Sequence, residues 1–274
     1  MKTYVITGAT SGIGNSLVRE FSAENIVFAG YRNIEKRDEL QKISKNIIPF
    51  FIDMTQPDSI DKAIEFITSK TNKIDTLINA AGCVVAGAIE NIDINNVKRQ
   101  FEVNTFSHLQ FSQGLLPILE GGKILNISSM ASYGIFPFVA PYCASKRALD
   151  ILFTALEIEM GERVKVVSIK PGVIATPLWE KSVKENVANI TDNKAYEKEM
   201  KYLVANAIDN GINGLDVKKV VDFIVKVDTM KNPKPSYKIG TDAVGASIVS
   251  KLPQSIINKI VKLKLNFTVK NNKT

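Results

Sequence analysis

Only two cysteines, Cys83 and Cys143, and one histidine, His108, occur in the 274 residues. Two cysteines cannot make a disulfide framework, and their scarcity points to a reducing compartment. With so few thiols and imidazoles there is no Cys/His cluster at metal-ligand spacing, so no metal is expected. No apolar run reaches the ~18 residues of a membrane-spanning helix. The chain passes straight from Met1 into Tyr4-Val5-Ile6, which leaves no room for a cleavable leader and gives the cytoplasm as the expected location. Internal repeats, low-complexity tracts and Pro/Gly-rich linkers are missing as well. Acidic residues are absent from 251–274, where six lysines stand at 251, 259, 262, 264, 270 and 273. That tail carries +6 of the net charge of +7, so residues 1–250 are close to neutral. A near-neutral body excludes a nucleic-acid-binding surface as the main business of the fold.

What is present alternates. Short β-rich runs at 3–7, 26–31, 48–52, 76–79, 123–127 and 165–169, with a further short one at 237–239, are separated by helical spacing at 13–23, 59–69, 97–119 and 144–160. Strands alternating with helices predict a doubly wound parallel sheet, Rossmann-like and three-layered α/β/α, in a single domain. Ligands of such sheets lie beyond the carboxyl ends of the strands.

The run Thr7-Gly8-Ala9-Thr10-Ser11-Gly12-Ile13-Gly14 follows the first strand and opens the first helix. Glycines at such a junction let the backbone approach a pyrophosphate, whose charge suits a helix N-terminus. Gly8, Ser11, Gly12, Ile13 and Gly14 are therefore the candidate phosphate cradle, although the spacing is G-x-x-x-G-x-G and a tight turn is the plain alternative. The second strand ends in Gly30-Tyr31-Arg32. An acidic residue there would suit ribose hydroxyls, whereas Arg32 suits a 2′-phosphate and favours NADP(H) over NAD(H). Further on, Tyr142 and Lys146 stand four apart within a helical stretch and so share a face. An ammonium beside the phenol would favour the phenolate and make Tyr142 a usable general acid or base.

Asn79-Ala80-Ala81-Gly82 ends the fourth strand, Asn104 lies inside a long helix, Asn126-Ile127-Ser128-Ser129 ends the fifth strand, and Pro171-Gly172-Val173-Ile174-Ala175-Thr176 follows the sixth. With these motifs the chain resembles the short-chain dehydrogenase/reductase family in its single-domain branch, from residue 3 to about 178, and more loosely its retinol- and hydroxysteroid-dehydrogenase-like members. The resemblance implies hydride transfer between a nicotinamide cofactor and an alcohol or ketone. It implies Asn104, Ser129, Tyr142 and Lys146 as the catalytic set, with Asp53 at the adenine. Asn79, Ala80, Ala81 and Gly82 would line the cofactor, Tyr142 and Lys146 would also touch it, and Pro171, Gly172, Val173 and Thr176 would hold the nicotinamide side. The residues suit those roles: Ser129 can polarise a carbonyl, and Asn104 can support a water that links Lys146 to solvent.

The same resemblance places Phe136 and Phe138, before Tyr142, and Trp179, after Thr176, beside the substrate with Ser129 and Tyr142. Their bulk favours a lipophilic secondary alcohol or ketone. Residues 177–214 are expected to form a mobile helical lid. His108 is expected to be structural, and Cys143 a small buried residue. In the tail, Pro253 is placed to start a helix with Ile256, Ile260, Leu263 and Phe267 in one stripe. That helix either covers the body or a partner copy, or lies peripherally on a membrane. A homo-oligomer is expected. The alternatives are a non-catalytic NADP(H)-binding sensor or scaffold, and a sugar-nucleotide epimerase or dehydratase, which would have a longer substrate domain and different glycine spacing.

Overall fold

Strands covered on both faces must be apolar at nearly every position, and this one requirement organises the molecule. In β1 (Thr3–Ile6), Tyr4 and Ile6 join the core on one side of the sheet while Val5 joins the core on the other, none more than 2% exposed. The computed structural model describes residues 1–186, 189 and 194–271, with the backbone alone for 194 and 266–271.

The strands are completed by β2 (Ile26–Tyr31), β3 (Ile47–Phe51), β4 (Thr76–Asn79), β5 (Lys123–Ile127), β6 (Lys165–Pro171) and β7 (Ser236–Ile239). All pair in parallel, in the order β3-β2-β1-β4-β5-β6-β7. The order reverses direction between β1 and β4, and it is in the crevice above such a switch point that sheets of this kind hold their ligands. One face is covered by α1 (Gly12–Phe21) and α9 (Val217–Thr229), which supply Leu17, Val18, Val220 and Ile224 to the core. The other is covered by α3 (Pro57–Thr68), α5 (Ser107–Leu115) and α6 (Ala140–Met160), with Ile60, Phe111, Leu149 and Phe153. Shorter helices α2 (Glu35–Gln41) and α4 (Ile94–Phe101) precede β3 and α5. After β6 come α7 (Leu178–Glu185), α8 (Glu197–Asn213), α10 (Thr241–Val249) and α11 (Gln254–Asn271).

The expected strands are present with ends shifted by a residue or two, and the short seventh is real. Two helical expectations are corrected. The stretch 97–119 is not one helix: α4 ends at Phe101, Glu102–Phe106 is a π-helical turn, α5 follows, and a 3₁₀ turn at Leu116–Ile118 closes it at Pro117. A π turn inserts one extra residue and re-aims the side chains it carries. The helix expected at 144–160 begins at Ala140, with Pro141 in its first turn, where proline's missing N–H costs nothing. Tyr142 is therefore held by the helix itself.

Buried Asp228, near the end of α9, ties the lower edge of the sheet together. It accepts from the Tyr4 hydroxyl at 2.8 Å, the Thr76 hydroxyl at 2.6 Å and the Lys2 amine at 2.9 Å, and its own carbonyl accepts from the Lys123 amine.

Candidate active site

The turn between β1 and α1 is built from backbone that has no room for side chains. At Gly8 φ is +65°, and a β-carbon there would lie 2.8 Å from the Ala81 nitrogen; at Gly14 it would lie 2.3 Å from the Gly8 carbonyl oxygen. Only glycine fits either position. Thr7 fastens the turn to its neighbour, its hydroxyl accepting from the amides of Ala80 at 3.0 Å and Ala81 at 3.2 Å. Ser11 caps α1 by backbone conformation without using its hydroxyl on the helix. The N-terminus of α1 thus offers amides and a side-chain hydroxyl, which is what a phosphate group needs. Gly12 touches Thr176, since a β-carbon on it would meet that side chain at 3.6 Å, so the first glycine turn and the segment after β6 flank one crevice. Arg32 stands exposed directly after β2. Asp53 lies two residues beyond β3, one carboxylate oxygen accepting from the amide and hydroxyl of Thr55. Asn79 is fully buried and crosslinks the sheet interior, donating to Asn126 Oδ1 at 2.8 Å and Ser112 Oγ at 3.1 Å, so only its neighbours Ala80, Ala81 and Gly82 reach towards the crevice with their backbone.

At the crevice mouth Ser129, Tyr142 and Lys146 come together. Ser129 begins a 3₁₀ turn (Met130–Tyr133) after β5, its hydroxyl accepting from the Ala131 amide at 3.1 Å while lying close enough to the Tyr142 phenol to favour its ionised form. Lys146, one turn along α6 from Tyr142, is buried and donates to the Ile127 carbonyl at 2.8 Å. Its ammonium lies 3.8 Å from where a β-carbon on Gly82 would be. The expectation that the ammonium primes the phenol directly is corrected. Burial pushes the Tyr142 phenol up to about 12, against the Ser129 hydroxyl that favours the phenolate. Burial likewise pushes the Lys146 amine down to about 8, opposed by the Asp150 carboxylate one turn further along α6. Desolvation outweighs the Ser129 hydroxyl at Tyr142 and the Asp150 charge at Lys146.

Asn104 sits in the π turn, fully buried. Its Oδ1 accepts from the Cys83 amide at 2.9 Å, and its Nδ2 donates to the Cys83 carbonyl at 3.0 Å and to Ser145 Oγ at 3.1 Å. Both donors and one acceptor site of the side chain thereby hold the segment after Gly82 against α6, which leaves the second lone pair of Oδ1. Gln100 and Asn186 continue the same work. Gln100 accepts from the Val85 amide at 2.5 Å and donates to the Cys83 carbonyl at 2.6 Å. Asn186, at the end of α7, accepts from the Ala86 amide at 2.9 Å and donates to the Val84 carbonyl at 2.8 Å. With Asn189 donating to the Ala86 carbonyl at 3.2 Å, four carboxamides thus satisfy residues 83–86 as a neighbouring strand would.

His108 is structural, as expected. Burial, reinforced by the Lys146 charge, pushes it down to about 3, and its neutral ring hydrogen-bonds the Ala81 carbonyl at 2.9 Å. Cys143 and Cys83 are free and buried, with burial raising both thiols. Among the described residues no group could hold a metal ion.

The loop before α6 and the start of α7 carry the large apolar side chains Phe136, Phe138 and Trp179. Phe138 has φ +66°, the single non-glycine residue with positive φ among the described residues. Its carbonyl accepts from Gly87 N at 2.8 Å, and its ring meets Tyr196 edge-on at 5.6 Å. Such strain persists only where surroundings enforce it. Phe136 lies half-buried in the same loop, near Gly134. Trp179 donates from its indole to the Ile174 carbonyl at 2.7 Å and packs beside Gly211 of α8. The described parts of 177–214 are helical; 187, 188 and 190–193 lie outside the described residues.

Several residues that shape the site carry no motif. Asp242 accepts from the Val173 amide at 2.7 Å and occupies the space a β-carbon on Gly172 would need. Asp150 and Lys170 form a buried ion pair at 2.8 Å, with Lys170 4.5 Å from the centre of the Tyr133 ring. Gln100, Asn186 and Asp242 act on backbone far away in sequence, and no spacing rule reveals that. Asp150, at i+4 from Lys146, is the exception that helical periodicity exposes.

A glycine cradle at the switch point of a parallel sheet, beside a group of Ser129, half-buried Tyr142 and buried Lys146, defines a dinucleotide-dependent oxidoreductase. The chain belongs to the short-chain dehydrogenase family, whose sequence model matches residues 2–187. It is 34% identical over 194 residues to the NADPH-dependent 3-dehydrocapnine reductase of Ornithobacterium rhinotracheale, covering 66% of this chain and 69% of that one. It is 27% identical over 266 residues to the 3-ketodihydrosphingosine reductase of Bacteroides thetaiotaomicron, covering 94% and 96%. A short-chain dehydrogenase from Burkholderia cenocepacia in complex with NADP superposes with a TM-score of 0.71 at 22% identity, covering 95% and 99%. The protein is thus an oxidoreductase acting on CH–OH or carbonyl groups with a nicotinamide cofactor.

Proposed function

We propose that the protein is an NADP(H)-dependent reductase of a lipophilic ketone, working reversibly on the corresponding secondary alcohol. The single observation that carries this reading is the convergence of Ser129, at the end of β5, with Tyr142 and Lys146 one turn apart on α6, Lys146 being anchored to the Ile127 carbonyl at 2.8 Å. When bound, the nicotinamide supplies or accepts the hydride. Ser129 orients the carbonyl oxygen, and Tyr142 passes it a proton from a phenol that burial keeps protonated across the neutral range. Lys146 holds ribose and returns the proton to Tyr142, with Asn104 supporting the path. Gly8, Ser11, Gly12, Ile13 and Gly14 cradle the pyrophosphate, Asp53 meets the adenine, and Arg32 takes the 2′-phosphate. Ala80, Ala81 and Gly82, with Asn79 fixing them from below, line one wall. Pro171, Gly172, Val173 and Thr176 line the other.

The lipophilic substrate rests on the apolar group of Phe136, Phe138 and Trp179, and on relatives named as reductases of 3-dehydrocapnine and 3-ketodihydrosphingosine. The reading extends to a cytoplasmic homo-oligomer with 177–214 as its substrate lid and a tail in peripheral contact with membrane.

Replacing Tyr142 by Phe is expected to lower ketone reduction ~10²–10⁴-fold while NADPH binding stays unchanged. Undiminished turnover rejects the assignment, and NADPH binding without turnover of any carbonyl in a broad panel favours the sensor. Arg32→Ala is expected to weaken NADPH but not NADH in fluorescence titrations; equal NADPH affinity in both proteins rejects the cofactor preference.

A further inference from the structure

The helix α11 has two apolar rows, and the body covers only one. Ile257, Val261 and Leu265 are half-buried on the side where α11 packs on α8. The row foreseen from sequence is the other one: Ile256 is 43% exposed, Ile260 38% and Leu263 69%. The side chains of Phe267 and Lys270, and residue Lys273, lie outside the described residues. At about 100° per residue, Ile256, Ile260 and Leu263 fall within a sector of about 60°, with Lys259 flanking it and Lys262 beyond. Exposed Lys251 and Leu252 precede the helix. The neighbouring α8 also leaves Ile208 and Ile212 open, at 54% and 71%.

We infer that this open row of α11, with Lys251, Lys259 and Lys262, is a docking surface for an anionic lipid bilayer, on which the helix lies parallel to the membrane plane. Charge chooses the occupant. Residues 251–274 hold six lysines and no acid, so a second copy docked by the same face would set like charge against like charge. A bilayer bearing acidic headgroups complements the lysines while its acyl boundary receives the isoleucines. The lysine stems can reach outward to the headgroups from beside an apolar row. Insertion across the membrane is not available, because no helix among the described residues is long and apolar enough to span one. The surface deepens the reading of a lipophilic substrate and rests on that reading only for its purpose. Docking itself needs neither substrate nor turnover.

The test is co-sedimentation of the full chain with vesicles of phosphatidylcholine alone and of phosphatidylcholine with about one-third phosphatidylglycerol. Binding is expected only to the anionic vesicles and is expected to weaken with added salt. Reversing Lys251, Lys259 and Lys262 to Glu should reduce it ~10-fold or more. Ile256→Ser with Ile260→Ser should reduce it while leaving turnover of a water-soluble ketone unchanged, which shows that the variant is folded. Equal binding to neutral vesicles, no binding, indifference to both variants, or tail-dependent dimers in place of vesicle binding each overturns the proposal. Vesicle binding by a protein inert towards every ketone would sink the catalytic reading and leave the docking surface standing.

Discussion

Burial sets the protonation states of the two groups that matter most. Lys146 is held down to about 8 and Tyr142 up to about 12, so at neutral pH the lysine is charged and the phenol protonated. That combination suits proton donation to a carbonyl. Since kcat/KM reports the free protein's ionisations, its value for ketone reduction should be level below about 8 and fall as Lys146 loses its proton. A profile flat to pH 10 would mean that the Lys146 charge is irrelevant or is not depressed. Tyr142 contributes nothing to that fall, because its proton leaves only far above it. The roles of Asn104 and Ser129 came from the family resemblance, whereas the segments at the strand ends and the Tyr142–Lys146 spacing were legible in the sequence itself. The electrostatics of that pair were not, because a spacing of four residues reports proximity and says nothing about dehydration.

The element scale shows where periodicity reads well and where it does not. Strands β2, β4 and β5 match their sequence-based bounds to the residue, since every position between two helical layers must be apolar. The helix through 97–119 read as continuous because its apolar spacing barely changes across the π turn. What changes there is the direction of Asn104, through hydrogen bonds to Cys83 and Ser145, residues far away along the chain. Asn186 was invisible for the same reason. It is the polar hinge between α7 and the 83–86 segment, and truncating it leaves the Ala86 amide and the Val84 carbonyl without a partner inside the protein. Asn186→Ala should therefore raise KM for the ketone several-fold and cost about 1–3 kcal/mol of stability, with NADPH affinity unaltered. Unchanged KM in steady-state assays would show that α7 has no part in holding substrate.

Across the whole molecule, one carboxylate joins the first residues of the chain to a helix more than two hundred positions later. Burial alone would raise Asp228, but donation from Lys2, Thr76 and Tyr4 outweighs it and leaves the group below the usual carboxylate range. Its stabilising contribution is complete above the unfolded value of about 3.9 and is lost as pH falls through the lower folded value. Asp228→Asn should lower the urea midpoint at pH 7 by an amount equivalent to about 1–3 kcal/mol. The gap from wild type should close as the pH falls below about 4. A gap that is constant with pH would show that hydrogen bonding, without charge, is what joins these strands. This long-range closure explains why the single-domain architecture could be read from alternation alone while its fastenings could not.

Residues 83–86 borrow their pairing from four side chains instead of from a strand, and that has a kinetic corollary. A backbone amide in a sheet trades its hydrogen for deuterium only when the strand beside it leaves, whereas each amide here answers to one side chain. The Val85 amide answers to Gln100 on the fixed wall of the crevice, and the Ala86 amide to Asn186 at the tip of α7. Two adjacent protons thus keep separate clocks, and faster exchange at Ala86 than at Val85 would time the excursions of α7 with no ligand present.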